Sequence, residues 1–208
     1  MSGNPDTLPK TLLEMAGAVW PKAAFEDAVL VIIDAQREYL EGAVPLHGIE
    51  AAIDEAAAVL AMARKHATPV FHIVHHAPRG SGAFAEGAPL TEIVPALAPK
   101  SEEAIIAKNL PNAFAGTDLA ERIRATGRSD VIITGFMTHM CVSASARAAL
   151  DLGFRTTVVA AATGTRALPD PLGGAALTAE AVHKTALAEL ADRFATITPN
   201  AAALAAKA

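Results

Sequence analysis

Short apolar runs alternate along this chain with longer segments in which apolar residues recur at helical spacing. The apolar runs predict buried strands over residues 28–33, 69–75, 104–107, 130–135, 155–160 and 195–197. The amphipathic segments predict helices over residues 49–66, 117–125, 141–152 and 177–194. Strands that alternate with helices indicate the α/β class. Because crossovers between parallel strands are right-handed, we expect a three-layer, doubly wound, six-stranded and mainly parallel sheet with helices on both faces.

The length and composition favour one domain over residues 1–208, with its core over about 28–198. Hydrophobic residues make up 52% of the chain but aromatic residues only 4%, so Ala, Val, Ile and Leu must build the core. The net charge of −5 leaves no basic stripe for a nucleic acid. No apolar stretch approaches the roughly 20 residues of a membrane span. The first 18 residues lack a long apolar run, and the chain has one cysteine, so we expect neither a leader nor a membrane partner, and a cytoplasmic location.

Polar side chains follow three of the predicted strands. Asp34 ends the first strand, Lys108 ends the third, and Cys141 follows the fourth. In doubly wound sheets, ligands bind beyond the carboxyl ends of the strands, so these side chains face the expected ligand site. A carboxylate there can take a thiol proton, and an ammonium can keep the carboxylate ionised. Each residue also has an ordinary structural explanation, as a turn cap, a solvated lysine or an inert core thiol.

Cys141 is the only cysteine, so it cannot form an internal disulfide. It lies where a predicted strand runs into a predicted helix. A helix N-terminus favours the thiolate, so we expect the pKa of Cys141 to be depressed. The segment after the first strand, 34–37, has no Gly-rich fingerprint, so we expect a small-molecule substrate and no dinucleotide cofactor.

Four stretches of this chain resemble the isochorismatase-like cysteine hydrolase superfamily, which includes nicotinamidases and carbamoylsarcosine amidohydrolases. They are Val31-Ile32-Ile33-Asp34-Ala35-Gln36, Lys108 with Asn112-Ala113-Phe114, Gly135-Phe136-Met137-Thr138-His139-Met140-Cys141-Val142, and residues 146–155. The resemblance implies the same α/β fold, a catalytic set of Asp34, Lys108 and Cys141, and assembly into homo-oligomers. It also implies a cis peptide at Phe136-Met137 and an oxyanion hole formed by the amides of Met137 and Cys141. Because the true isochorismatases of this superfamily lack the cysteine, Cys141 favours hydrolysis of a C–N bond.

Nicotinamidases carry an Asp-x-His pair and further histidines that bind a metal. Here the residues after Asp34 read Gln36-Arg37-Glu38-Tyr39, and only His47 follows nearby, so we expect no metal. His72, His75 and His76 end the second strand, where alternation places His72 and His76 on one face and His75 on the other. Two histidines on one face lack a third metal ligand, so capping or interface roles are favoured. The candidates for the wall of a substrate pocket are Gln36, Tyr39, Phe114 and His139.

The sequence therefore favours a cysteine hydrolase that cleaves a small amide through a thioester. Two alternatives stay open at this stage. One is hydrolysis of a vinyl ether, in which Asp34 acts and Cys141 is dispensable. The other is a catalytically idle, oligomeric binding protein. For all three possibilities we expect a closed oligomer, at least a dimer, in which the loop 77–89 of one subunit forms part of the wall of the neighbouring subunit's site.

Overall fold

The computed structural model describes residues 8–18 and 20–206. Residues 1–7, which belong to the N-terminal segment 1–18 considered above for a leader, lie outside this range. Six strands, β1 to β6, span Ala28–Ile33, Val70–His75, Ala104–Lys108, Asp130–Phe136, Arg155–Gly164 and Ala195–Thr198. They form one sheet in the order β3-β2-β1-β4-β5-β6, and every pair is parallel. The predicted six-stranded α/β fold is confirmed.

In the part of the chain that the structure describes, seven α-helices cover the sheet and its ends. Helices α1 to α7 span Leu12–Met15, Glu38–Glu41, Ile49–Lys65, Leu119–Ala125, Ser143–Asp151, Ala179–Arg193 and Ala201–Ala205. The helix predicted over 141–152 begins instead as a π-helical turn, Thr138–Val142, which leads into α5. The last helix, α7, was not predicted; Asn200 caps it, and Ala201 and Leu204 are buried. No described helix has both the length and the apolar character needed to cross a membrane.

The core has two layers, one on each face of the sheet. Helices α3 and α7 cover one face, where Ala56 and Leu60 pack against Leu30 and Ile32 of β1. Helices α4, α5 and α6 cover the other face, which contains Val31 and Ile33. All six residues of β1 are buried, as a central strand covered on both faces requires.

The order of the strands reverses beside β1, whose neighbours are β2 and β4. This is the position at which doubly wound sheets bind ligands. Strands β1 and β4 approach each other closely here, where Gly135 of β4 lies in register with Ile33 of β1. Gly135 has φ 112°, and a Cβ atom at this position would overlap the Ile33 backbone. Only glycine fits this approach without moving a central strand.

We therefore expect Gly135→Ala to lose at least about 3 kcal/mol in the free energy of unfolding, or to fail to fold. Urea denaturation of the purified variant measures this loss. Gly153→Ala is the matched control: Gly153 also has a positive φ, 86°, but a Cβ there would meet nothing within 4 Å. Its expected loss is about 1 kcal/mol. Equal losses in the two variants would contradict the close approach of β1 and β4.

Candidate active site

Asp34 directly follows β1 at the point where the strand order reverses. Its φ of 50° lies in the left-handed region, which is uncommon for a residue with a side chain, and its N–H donates to the Ile73 carbonyl at 2.9 Å. The side chain is fully buried. Burial raises the pKa of Asp34 to about 6, although the charge of Lys108 opposes the rise. A carboxylate that titrates near neutral pH suits a group that takes and returns a proton.

Lys108 ends β3 with its side chain on the buried face of that strand, which it shares with Ile106. Its ammonium forms an ion pair with Asp34, with Nζ 2.7 Å from Oδ2, and neither side chain is exposed. The same Nζ donates to the Sγ atom of Cys141 at 3.4 Å. The three residues predicted from strand ends therefore meet at one ammonium group.

Cys141 is buried within the π-helical turn, two residues before α5 begins. Burial and the charge of Asp34 raise the pKa of the thiol to about 12, although Lys108 opposes this. The expected depression of this pKa was therefore wrong. Burial and the neighbouring carboxylate together oppose ionisation, so the resting thiol is protonated and needs a base.

Of the two amides expected to form an oxyanion hole, that of Met137 directly precedes the π-helical turn and that of Cys141 lies within it. The Phe136–Met137 peptide bond is cis, as the resemblance implied. The Met137 carbonyl accepts from the amides of Met140 and Val142, at 3.0 and 3.2 Å. Within the described chain, the Met137 and Cys141 N–H groups donate to no acceptor outside their own turn.

Of the four predicted pocket residues, Tyr39 lies near Asp34 and Cys141, and His139 shares the π-helical turn with Cys141. Tyr39 is buried, and burial followed by the charges of Asp34 and Cys141 raises the pKa of its hydroxyl. Its ring contacts Phe84, with centroids 5.0 Å apart. His139 is half-buried in the π-helical turn, where its Nδ1 lies 2.5 Å from the Thr165 hydroxyl. Burial lowers the pKa of His139 and the nearby Arg166 adds to this, so the ring is neutral near pH 7.

The other two predicted pocket residues have structural roles. The amide of Gln36 is fully buried and bonds only to backbone, donating to the carbonyls of His75 and Thr91 and accepting from the His75 N–H. Phe114 is buried in the core and stacks on Phe154, with centroids 5.9 Å apart. We therefore correct both assignments, from pocket wall to a loop anchor and a packing residue.

The histidines of β2 do not converge on one another. His72 is buried on the opposite face from His75, with its Nε2 2.9 Å from the Glu103 carboxylate. His75 lies beside Lys108, with its Nδ1 3.3 Å from Nζ, a contact that the sequence analysis missed. Neither the order of the strands nor their register was predicted, and it is the register of β2 with β3 that pairs His75 with Lys108.

Within residues 8–18 and 20–206, no three His, Cys, Asp or Glu side chains are grouped so that they could hold a metal ion. The chemistry below uses side chains and backbone amides alone.

The fold and the buried carboxylate, ammonium and thiol together define an enzyme of the doubly wound α/β class. The family model described as the isochorismatase domain matches residues 28–202 of this chain. The chain belongs to the isochorismatase family and is a hydrolase.

Among similar proteins is a secreted isochorismatase effector of Verticillium dahliae, which is 38% identical over 88% of this chain and 93% of its own length. A maleamate amidohydrolase of Pseudomonas putida is 35% identical over 66% of this chain and 72% of its own. The crystal structure of an isochorismatase from Pseudomonas putida KT2440 superimposes with a TM-score of 0.87 at 37% identity, covering 92% of this chain and 97% of that one.

The electrostatic coupling of Asp34 to Cys141 predicts an unusual response to mutation. Asp34→Asn removes the charge that raises the thiol pKa, so alkylation by iodoacetamide at pH 8.5 should become at least about threefold faster. Labelling rates are measured by mass spectrometry, with folding checked by circular dichroism. Asp27→Asn, at the exposed opposite end of β1, is the control and should leave the rate unchanged. Slower labelling of Asp34→Asn would show that the carboxylate does not oppose ionisation of the thiol.

Proposed function

We propose that this hydrolase is a cysteine amidohydrolase, which cleaves the C–N bond of a small amide or related acyl compound through a thioester. One observation carries the proposal: a fully buried Asp34–Lys108 ion pair lies against the only thiol of the chain. Burying two charges is unfavourable unless they are paired, and this pair also contacts a nucleophile. Such an arrangement suits proton transfer better than it suits packing.

Acylation begins with transfer of the Sγ proton of Cys141 to the carboxylate of Asp34. The thiolate, which the Lys108 ammonium stabilises, then attacks the carbonyl carbon and forms a C–S bond. The carbonyl π electrons move to oxygen, and the amides of Met137 and Cys141 donate to this oxyanion. Losing one such donor typically slows a reaction about 100-fold or more.

Collapse of this intermediate breaks the C–N bond. The leaving nitrogen takes the proton held by Asp34 and departs as ammonia or an amine, leaving a thioester on Cys141. A water molecule then gives a proton to Asp34 and attacks the thioester carbon. When the C–S bond breaks, the proton returns to sulfur and the carboxylic acid product leaves, which restores the resting site.

The substrate class rests on the thiol and on the relatives. The maleamate amidohydrolase among the similar proteins supports an amide as the bond that is cleaved. The cytoplasmic location stays a prediction, and the effector among the relatives is described as secreted. The homo-oligomer, with the loop 77–89 as a shared wall, also stays a prediction.

Variants of the nucleophile and the base separate the possible chemistries. Cys141→Ala should lower the rate of ammonia release at least about 1,000-fold for any amide that the parent protein hydrolyses, because no nucleophile is left to form the thioester. Coupled-enzyme detection of ammonia across a library of amides and ureides provides the measurement. Met140→Leu, on an exposed neighbour in the same turn, is the control and should keep activity within about threefold. Full activity in Cys141→Ala together with an inactive Asp34→Asn would favour the vinyl-ether mechanism instead.

The pKa of Asp34 sets the lower limit of the active pH range. The carboxylate must be ionised to accept the thiol proton, and burial raises its pKa to about 6. The ratio kcat/KM should therefore fall about tenfold for each pH unit below about 6. Steady-state rates between pH 4.5 and 8 test this, with circular dichroism at each pH to exclude unfolding. A flat profile down to pH 4.5 would rule out Asp34 as the base.

A further inference from the structure

Lys108 has a third partner besides Asp34 and Cys141. The Nδ1 atom of His75 lies 3.3 Å from Nζ, while Asp34 Oδ2 and Cys141 Sγ lie at 2.7 and 3.4 Å. An ammonium group has three N–H donors and no acceptor. The three neighbours thus match its three donors, and His75 supplies a nitrogen acceptor beside the carboxylate and the sulfur.

The contact fixes the protonation of the imidazole. Because an ammonium can only donate, the Nδ1 atom facing it must carry the lone pair, so the ring proton lies on Nε2. Burial, followed by the charges of Lys108 and His76, lowers the pKa of His75 to about 4. Lys108 faces the ring, Asp34 and Cys141 are the other partners of its ammonium, and His76 is adjacent in the chain. The ring is therefore a neutral acceptor throughout the expected active range.

Three contacts hold the imidazole in this orientation. The backbone of His75 is clamped by Gln36, which accepts from its N–H at 2.8 Å and donates to its carbonyl at 3.0 Å. The ring packs edge-on against Phe84, with centroids 5.5 Å apart and planes at 88°. Phe84 in turn contacts Tyr39, and its N–H donates to the buried carboxylate of Glu38 at 3.3 Å. The ring thus has little freedom to leave Lys108.

We propose that His75 is a positioning residue, which holds the Lys108 ammonium between the base and the nucleophile by accepting its third hydrogen bond. Without this acceptor, the ammonium is free to turn fully onto the Asp34 carboxylate, which attracts it more strongly than sulfur does. The thiolate of Cys141 then loses its counter-charge. The effect on turnover rests on the proposed function, whereas the effect on the thiol does not.

The test compares three variants by the rate at which iodoacetamide labels Cys141 and by the pH dependence of kcat/KM. His75→Phe keeps an aromatic ring beside Phe84 but removes the acceptor. It should slow labelling at pH 8.5 at least about fivefold, because the thiolate loses its counter-charge. It should also move the acid limb of the pH profile of kcat/KM at least about half a pH unit lower, because the whole ammonium charge then lowers the pKa of Asp34. In His75→Asn the Oδ1 atom takes roughly the place of Nδ1, so both readouts should return to within about threefold of the parent rate and a quarter of a pH unit.

His76→Asn is the matched control, since His76 follows on the same strand end and makes no side-chain hydrogen bond among the described residues. It should leave the labelling rate unchanged, and it should not move the acid limb down, because the charge of His76 lowers the pKa of Asp34. A folded His75→Phe with the parent labelling rate and the parent acid limb would overturn the proposal. If His75→Phe fails to fold, nitrogen NMR of the parent protein decides: a neutral ring protonated on Nε2 is expected at pH 7, and an imidazolium or a ring protonated on Nδ1 would overturn it.

The two proposals fail in different ways. Labelling and NMR need no substrate, so they report on His75 even if no amide is turned over. Absence of amide hydrolysis by the parent protein would remove the proposed function and leave these two measurements intact. An unchanged labelling rate in His75→Phe, with normal amidase activity in the parent, would remove only the role of His75.

Discussion

The buried ion pair between Lys108 and Asp34 is the interaction on which the rest of the site depends. Both side chains are removed from solvent, and removing either would leave an uncompensated charge in the interior. The pair joins β3 to the end of β1 across β2, so it also fixes the edge of the sheet where ligands are expected. Cys141, the third member, is brought to it by the π-helical turn after β4. The sheet thus places the Asp34 carboxylate, from the end of β1, and the Lys108 ammonium, from the end of β3, beside the Cys141 thiol.

The fold could be predicted from the sequence because the hydrophobic pattern is strong where burial is complete. The run 28–33 is apolar throughout, and it is the central strand covered on both faces. The same pattern located Asp34, Lys108 and Cys141, since each is a polar residue or thiol directly after an apolar run. The boundaries were less accurate: β5 extends to Gly164, and the alanine-rich tail forms a helix because Leu204 finds a place in the core.

Properties that depend on neighbours across strands could not be predicted in this way. The upward shift of the Cys141 pKa comes from burial of the thiol and from a carboxylate 107 positions earlier in the chain. Gln36 looked like a pocket residue because it follows Asp34, but its amide satisfies the buried backbone of a loop and of β2. His75 was separated correctly from His72 and His76 by alternation, yet its contact with Lys108 follows only from the register of β2 and β3.

The elevated pKa of Asp34 also couples this site to the folding equilibrium. A carboxyl that holds its proton more tightly when folded than when unfolded favours the folded state below about pH 4, and this contribution is lost as the pH rises through about 6. The difference from an ordinary aspartate corresponds to roughly 3 kcal/mol. The ionised form that accepts the thiol proton is thus the form that folding disfavours. The packing of the surrounding sheet must supply the free energy that keeps this anion buried.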